Sequence, residues 1–321
     1  MRENGAATGA PHRHPRHHSG TPRLQTAFFH DRERSPRSAV LPRLESEPTH
    51  VHDPNTSDSE SETLAVLLLD ADSAEAHRRA ETWASRLGLP VVEPKAAEAE
   101  GLHLVPTAEG LELWAGARRT QGVGRVDFAR RMESGPGATQ QPLHRAVGKR
   151  PAFVVDATAG FGDDAIALAG FGHRVLALEQ SPVMAALLEE ARARAELETK
   201  TAAIAERLRV ECANARQRLP RLEPAPDVIY LDPMYPEPER KTRALPRIEI
   251  QLLRRLVGVD HEDEALFEAA LQSGARRIVV KRPLSAPPLH EKRAAHHEGK
   301  LARYDVYNTS AFSGGLTESD S

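Results

Sequence analysis

From position 151 to 308, short apolar runs alternate with longer stretches of helical periodicity, and that alternation admits few folds. Phe153-Val154-Val155, Val175-Leu176-Ala177-Leu178, Leu208-Arg209-Val210, Val228-Ile229-Tyr230-Leu231, Arg277-Ile278-Val279-Val280 and Arg303-Tyr304-Asp305-Val306-Tyr307 each read as a strand. Helical text lies between them at 162–169, 182–196, 248–257 and 262–271, and Ser181 with Pro182 marks one helix start. Strands separated by helices build βαβ units, so the expectation is an α/β fold: a Rossmann-like, mostly parallel sheet with helices on both faces.

A smaller α/β unit precedes this one. Leu64-Ala65-Val66-Leu67-Leu68-Leu69 reads as a buried strand and 74–87 as a helix, with Ser73 as N-cap and Gly88 as stop signal. Leu102-His103-Leu104-Val105 and Leu111-Glu112-Leu113-Trp114 flank Thr107-Ala108-Glu109-Gly110 as a hairpin. Residues 134–141 are rich in Gly, Pro and Gln and read as a linker or a mobile loop. The expected division is a disordered His/Arg/Pro/Ser-rich extension over 1–60, a small α/β unit over 63–145, the larger unit over 146–310 and a disordered tail over 311–321.

Composition excludes several classes. No apolar run approaches the ~18 residues of a membrane span, and the polar, His/Arg-rich start lacks a secretory h-region. Cys212 is the single cysteine, which excludes a disulfide framework and a multi-Cys zinc site and fits a reducing cytoplasm. No metal constellation is read from the sequence. A formal net charge of -3 argues against a uniformly basic nucleic-acid coat but leaves room for a local basic face.

The turn after the first strand of the larger unit reads Asp156-Ala157-Thr158-Ala159-Gly160-Phe161-Gly162-Asp163-Asp164. A glycine turn between strand and helix is a ligand turn, and its charges indicate which ligand. A pyrophosphate needs positive potential at the helix start. Asp156, Asp163 and Asp164 supply the opposite sign and suit S-adenosylmethionine, which carries a sulfonium and an ammonium. Gly160 and Gly162 let the backbone approach closely. Glu179, at the end of the second strand, can accept hydrogen bonds from vicinal ribose hydroxyls, as the corresponding acid of an NAD enzyme would. Asn214, after the third strand, can meet the adenine edge.

The fourth strand runs into Asp232-Pro233-Met234-Tyr235-Pro236. An exocyclic amine conjugated to its ring is a poor nucleophile. Hydrogen bonds from its N–H groups to Asp232 and a nearby backbone carbonyl would favour a tetrahedral nitrogen and aim its lone pair. Tyr235 can stack on a flat base, and Pro233 stiffens the loop. Asp232, Pro233 and Tyr235 are therefore the candidate catalytic residues. Arg240, Lys241, Arg243 and Arg247 follow the loop; Arg276, Arg277, Lys281 and Arg282 bracket the fifth strand; Arg118, Arg119, Arg125, Arg130 and Arg131 lie in the smaller unit. Together they are a candidate phosphate-binding rim.

These motifs, with Leu256-Val257-Gly258, Lys281-Arg282-Pro283, Ala286-Pro287-Pro288-Leu289 and Arg303-Tyr304-Asp305-Val306-Tyr307, resemble the bacterial RsmJ family of 16S ribosomal RNA guanine-N2 methyltransferases. The resemblance covers roughly 123–308 and, more loosely, the unit from Thr63. It implies a class I methyltransferase fold, S-adenosylmethionine as cofactor, 16S rRNA or the small ribosomal subunit as partner, and a cytoplasmic location. By the same resemblance, cofactor contacts fall on Asp163, Asp164, Glu179, Gln180, Asn214, Ala215 and Asp232. Alternatives are a methyltransferase acting on adenine N6, cytosine N4 or a protein amide, a nicotinamide-dependent oxidoreductase, and a non-catalytic ribosome-assembly binder.

Overall fold

A computed structural model describes residues 64–133, 141–234, 248–257 and 263–312, all within the unit Leu44–Ser321. The expected 1–60 extension, most of the 134–141 linker and most of the 311–321 tail lie outside the described residues. So do Tyr235, Pro236, Arg240, Lys241, Arg243, Arg247 and Gly258.

The first sheet is built from β1 (Leu64–Leu67), β2 (Val91–Val92), β3 (Leu102–Thr107), β4 (Gly110–Ala115) and β5 (Val123–Gly124), in the order β2-β1-β3-β4-β5. β1 runs parallel to β2 and β3, and β4 is antiparallel to β3 and β5. α1 (Ala74–Leu87) crosses from β1 to β2. Its ends follow the expectation: the Ser73 side chain accepts a hydrogen bond from the Ala76 amide, and Gly88 closes the helix at φ 68°.

α2 (Phe128–Glu133) and α3 (Gln141–Val147) lead to the second sheet. Its parallel strands are β6 (Phe153–Asp156), β7 (Arg174–Glu179), β8 (Leu208–Cys212), β9 (Val228–Leu231) and β10 (Arg277–Pro283). β11 (Ala295–Glu298) and β12 (Ala302–Asn308) complete the order β11-β12-β10-β9-β6-β7-β8, with β12 antiparallel to both neighbours. Crossovers are made by α4 (Asp163–Gly170), α5 (Pro182–Glu196) with α6 (Ala202–Ala205), α7 (Ala215–Arg218), and α8 (Ile248–Val257) with α9 (Asp263–Gln272). This is the mostly parallel α/β architecture expected of the chain. All four residues of central β9 are buried, because a strand covered on both faces needs an unbroken apolar run.

Two elements differ from the sequence reading. Gln141 opens α3 rather than closing a linker, and Leu143, Ala146 and Val147 of that helix are buried. Residues 295–298, outside the strands read from the sequence, form β11, paired along β12. An edge strand takes its stability from backbone bonds and can leave its side chains in water, so it carries no apolar signal.

One hydrophobic cluster runs through both sheets, from Val66, Leu104 and Leu113 to Leu188, Tyr230 and Val279. α5 is the shared wall. Glu190 accepts the Leu111 amide at 3.2 Å, and Arg194 donates to the Val126 carbonyl at 3.2 Å. The chain fills the second sheet outward from β6 to β8, then returns to β9 on the other side. The carboxyl ends of β6 and β9 therefore part at a topological switch point, where α/β sheets open a crevice.

Candidate active site

The crevice is a cleft open to solvent. Its floor is the turn after β6 and its sides are the ends of β7, β8 and β9. Leu253 and Val257 of α8 and Leu266 of α9 form an apolar flank.

The turn is shaped by backbone hydrogen bonds and two left-handed glycines. Ala157 donates to the Tyr230 carbonyl and Ala159 to the Leu178 carbonyl, tying the turn to both neighbouring strands. Gly160 (φ 52°) and Gly162 (φ 78°) occupy the region that favours glycine. A Cβ at Gly162 would stand 2.5 Å from Leu188 Cδ1, so a side chain there would force Leu188 to shift.

Glu179 lies at the end of β7 with both oxygens bonded: Oε2 accepts the Gly160 amide and Oε1 the Ser181 amide, each at 2.8 Å. Burial raises its pKa, and the Ser181 and Gly160 amides oppose that rise without cancelling it. Asn214 accepts the Arg216 amide at 3.0 Å and caps α7. Gly160, Glu179, Gln180, Asn214, Ala215, Asp232 and Pro233 all line the cleft.

The remaining acids sit behind the turn. Asp156 is 1% exposed, and its Oδ1 accepts the Thr158 amide at 3.1 Å. Burial, reinforced by the Asp164 charge, pushes its pKa up to about 8, so it is mostly protonated at neutral pH. Asp163 pairs with Arg131 of α2. Asp164 Oδ2 accepts from Tyr230 Oη at 2.6 Å and from Lys281 Nζ at 2.9 Å. Burial works to raise the Asp164 pKa, but Lys281 and the Tyr230 hydroxyl outweigh it and hold the carboxyl below its ordinary range.

The turn's negative charge is thus largely compensated. One acid is neutral and two are ion-paired, so a general attraction for cations is weaker than the sequence suggests. Asp156, Gly162, Asp163 and Asp164 build the turn's support and do not line the cleft.

Asp232 follows β9. Its amide donates to Thr158 Oγ1 at 2.7 Å, and its Oδ2 accepts from Lys281 Nζ at 2.7 Å. The side chain keeps 34% exposure, on the cleft side. Burial raises its pKa; Lys281 pulls it down, and the Asp164 charge adds to the rise. Thr158, Tyr230 and Lys281 are thus functional neighbours that the motifs did not single out for these contacts. The signal available for Lys281 was its place at the carboxyl end of a strand.

Several arginines of the expected rim have structural partners. Arg277 donates to the Ala146 and Val147 carbonyls, each at 3.1 Å, and Arg276 pairs with Asp227. Both lie at the amino end of β10, opposite the cleft. Arg119 pairs with buried Glu112, and Arg282 pairs with Asp263 and donates to the Pro287 carbonyl.

Comparisons with known proteins bear on this site. The family model described as "Putative SAM-dependent methyltransferase" matches residues 82–309. The ribosomal RNA small subunit methyltransferase J of Pseudomonas aeruginosa is 40% identical over 269 residues, covering 80% of this chain and 99% of the relative. This chain belongs to the ribosomal RNA small subunit methyltransferase J family. A second member, from Thioalkalivibrio sulfidiphilus, is 41% identical over 250 residues, covering 74% of this chain and 95% of its own. The crystal structure of a SAM-dependent methyltransferase from Neisseria gonorrhoeae matches with a TM-score of 0.61 and 29% identity, over 79% of this chain and all of that one.

Membership of the methyltransferase J family makes the chain an S-adenosylmethionine-dependent methyltransferase. The cleft fits that cofactor. A carboxylate at a strand end suits ribose hydroxyls, Asn214 stands at the next strand end, and the aliphatic flank suits a flat base. Among the described residues no group of three or more His, Cys, Asp or Glu side chains could hold a metal, and no helix is long and apolar enough to cross a membrane.

Proposed function

We propose that this chain methylates the exocyclic N2 amine of a guanine in 16S ribosomal RNA of the small ribosomal subunit, in the cytoplasm where that subunit is assembled. The names of its relatives support small-subunit ribosomal RNA as the substrate. The observation that carries the amine chemistry is the half-open Asp232 carboxylate, one oxygen engaged by Lys281 and the side chain exposed to the cleft.

In this reading Glu179, Gln180, Asn214 and Ala215 hold the adenosyl part, with Gly160 giving the backbone room. Asp156, Gly162, Asp163 and Asp164 hold the turn. When bound, S-adenosylmethionine supplies an electrophilic methyl group. Asp232 accepts one N–H of the guanine amine, which favours a tetrahedral nitrogen and turns its lone pair toward the cofactor side of the cleft. The amine proton then leaves through Asp232 to solvent. Pro233 fixes the turn that carries Asp232, and Tyr235 is assigned to stack on the base. Positioning supplies most of the rate.

The test uses small subunits from cells lacking this gene product, labelled methyl donor and full-length protein, followed by digestion to nucleosides. N2-methylguanosine is the expected product. Label in N6-methyladenosine or N4-methylcytidine would replace the guanine assignment, and no label in RNA would refute the substrate.

A further inference from the structure

We infer that Lys281 is a positioning residue of the methyl transfer, holding one oxygen of Asp232 so that the other meets the acceptor amine. The inference rests on the proposed amine chemistry at Asp232.

Lys281 Nζ joins two carboxylates that come from different crossovers, Asp164 at the start of α4 and Asp232 after β9, at 2.9 and 2.7 Å. Its backbone is fixed within β10, opposite Tyr304 of β12. Asp164 is itself anchored by the Tyr230 hydroxyl at 2.6 Å. Both contacts fall on Oδ2 atoms, and Oδ1 of Asp232 accepts no hydrogen bond among the described residues. The ammonium therefore fixes the rotation of the Asp232 carboxylate and leaves one oxygen for a donor arriving through the cleft.

Charge gives Lys281 a second effect. The groups facing this point are Asp156 of β6, Asp164 of α4, Tyr230 and Asp232 at β9, and Tyr304 of β12, with Arg131 of α2 acting on Asp164. Asp156 is already mostly protonated, so Asp164 and Asp232 share the Lys281 ammonium. Two carboxylates this close do not both ionise readily without a cation, and the one with fewer donors takes the next proton. Asp164 has Lys281 and the Tyr230 hydroxyl, whereas among the described residues the Asp232 carboxylate has only Lys281. Loss of the ammonium would therefore protonate Asp232, weakening it as an acceptor of N–H hydrogen bonds and removing it as an acceptor of the amine proton.

The test reads Asp232 directly. Full-length protein carrying ¹³C-labelled aspartate carboxyls is titrated by NMR, with Asp232 assigned from Asp232→Asn. The pH dependence of methylation of small subunits is then measured at saturating cofactor. Lys281→Met should raise the Asp232 midpoint by about one pH unit or more and move the acid limb of the rate profile with it. Lys281→Arg should restore most of the midpoint and part of the rate. Asp164→Asn removes a competing negative charge and should move both midpoints the other way.

Superimposed Asp232 titrations in wild type and Lys281→Met would overturn the inference. So would a shifted titration with an unshifted rate profile. If Lys281→Met does not fold, Asp164→Asn decides, and an unmoved Asp232 midpoint there also overturns it. A shifted titration in a protein whose wild type methylates no small subunit would leave the Lys281–Asp232 linkage standing and sink the substrate assignment instead.

Discussion

Glu179, at the tip of β7, accepts the amide hydrogen of Gly160 from the turn after β6, at 2.8 Å. One carboxylate thus shapes the glycine turn and lines the cleft beside it. Glu179→Ala should remove a charge-assisted bond worth about 1.5–3 kcal/mol and loosen the turn. The expected result is a fall of at least roughly tenfold in S-adenosylmethionine affinity by calorimetry. Glu179→Gln keeps an acceptor oxygen and should lose less.

Asp232→Ala should abolish turnover, with a drop of about 10²-fold or more, while cofactor binding stays measurable. Methyl incorporation and equilibrium binding on the same preparation check this. Wild-type turnover in the variant would dismiss the acceptor role.

Gly162→Ala places a Cβ 2.5 Å from Leu188 Cδ1, at a φ of 78°. Left-handed strain and overpacking each cost about 1–3 kcal/mol. The melting temperature should fall by several degrees, at roughly 2–4 °C per kcal/mol for a domain of this size.

Asp156 predicts stability that declines toward alkaline pH. Its folded pKa, raised to about 8, lies above the ordinary 3.8. Between these values the folded state holds a proton that the unfolded state lacks, so stability is full below 3.8 and lost as pH rises to about 8. Asp156→Asn can still accept the Thr158 amide and does not titrate. Its melting temperature relative to wild type should climb with pH and level off above about 8. A constant difference would show that Asp156 is not protonated in the folded chain.

His173 predicts the opposite limb. It is fully buried, neither ring nitrogen has a hydrogen-bond partner among the described residues, and the His144 ring lies 5.9 Å away. Burial lowers its pKa from 6.5, and His144 adds to the shift. Its contribution is present above 6.5 and lost as pH falls below that, because the unfolded chain takes the proton first. His173→Leu should flatten the fall in melting temperature between pH 7 and 5 by a few degrees, about 1 kcal/mol at this chain length.

The parallel sheet was legible because its strands are apolar runs bounded by breakers, and because Ser73, Gly88 and Ser181 are local signals that act where they stand. β11 was not, since edge pairing places no demand on side-chain polarity. α3 was hidden by Pro142 and by the Gly- and Gln-rich text before it. Around the cleft, position could be read but pairing could not. Asp164 and Lys281 are separated by 117 positions, and only the sheet order brings them to 2.9 Å. The charge of the turn was accordingly read from acids alone, without the cation that neutralises it. Arg276 and Arg277 were misplaced for a related reason: a strand has two ends, and sequence adjacency to β10 does not say which one faces the ligand.

The wall that α5 shares between the two sheets has a consequence for dissection of the chain. A fragment beginning at residue 141 would bare the side of α5 that Leu111 and Val126 now cover, and would leave Glu190 and Arg194 facing solvent instead of backbone. Cutting the chain there would thus cost the methylating half the apolar cover and the two backbone partners that the leading sheet gives α5.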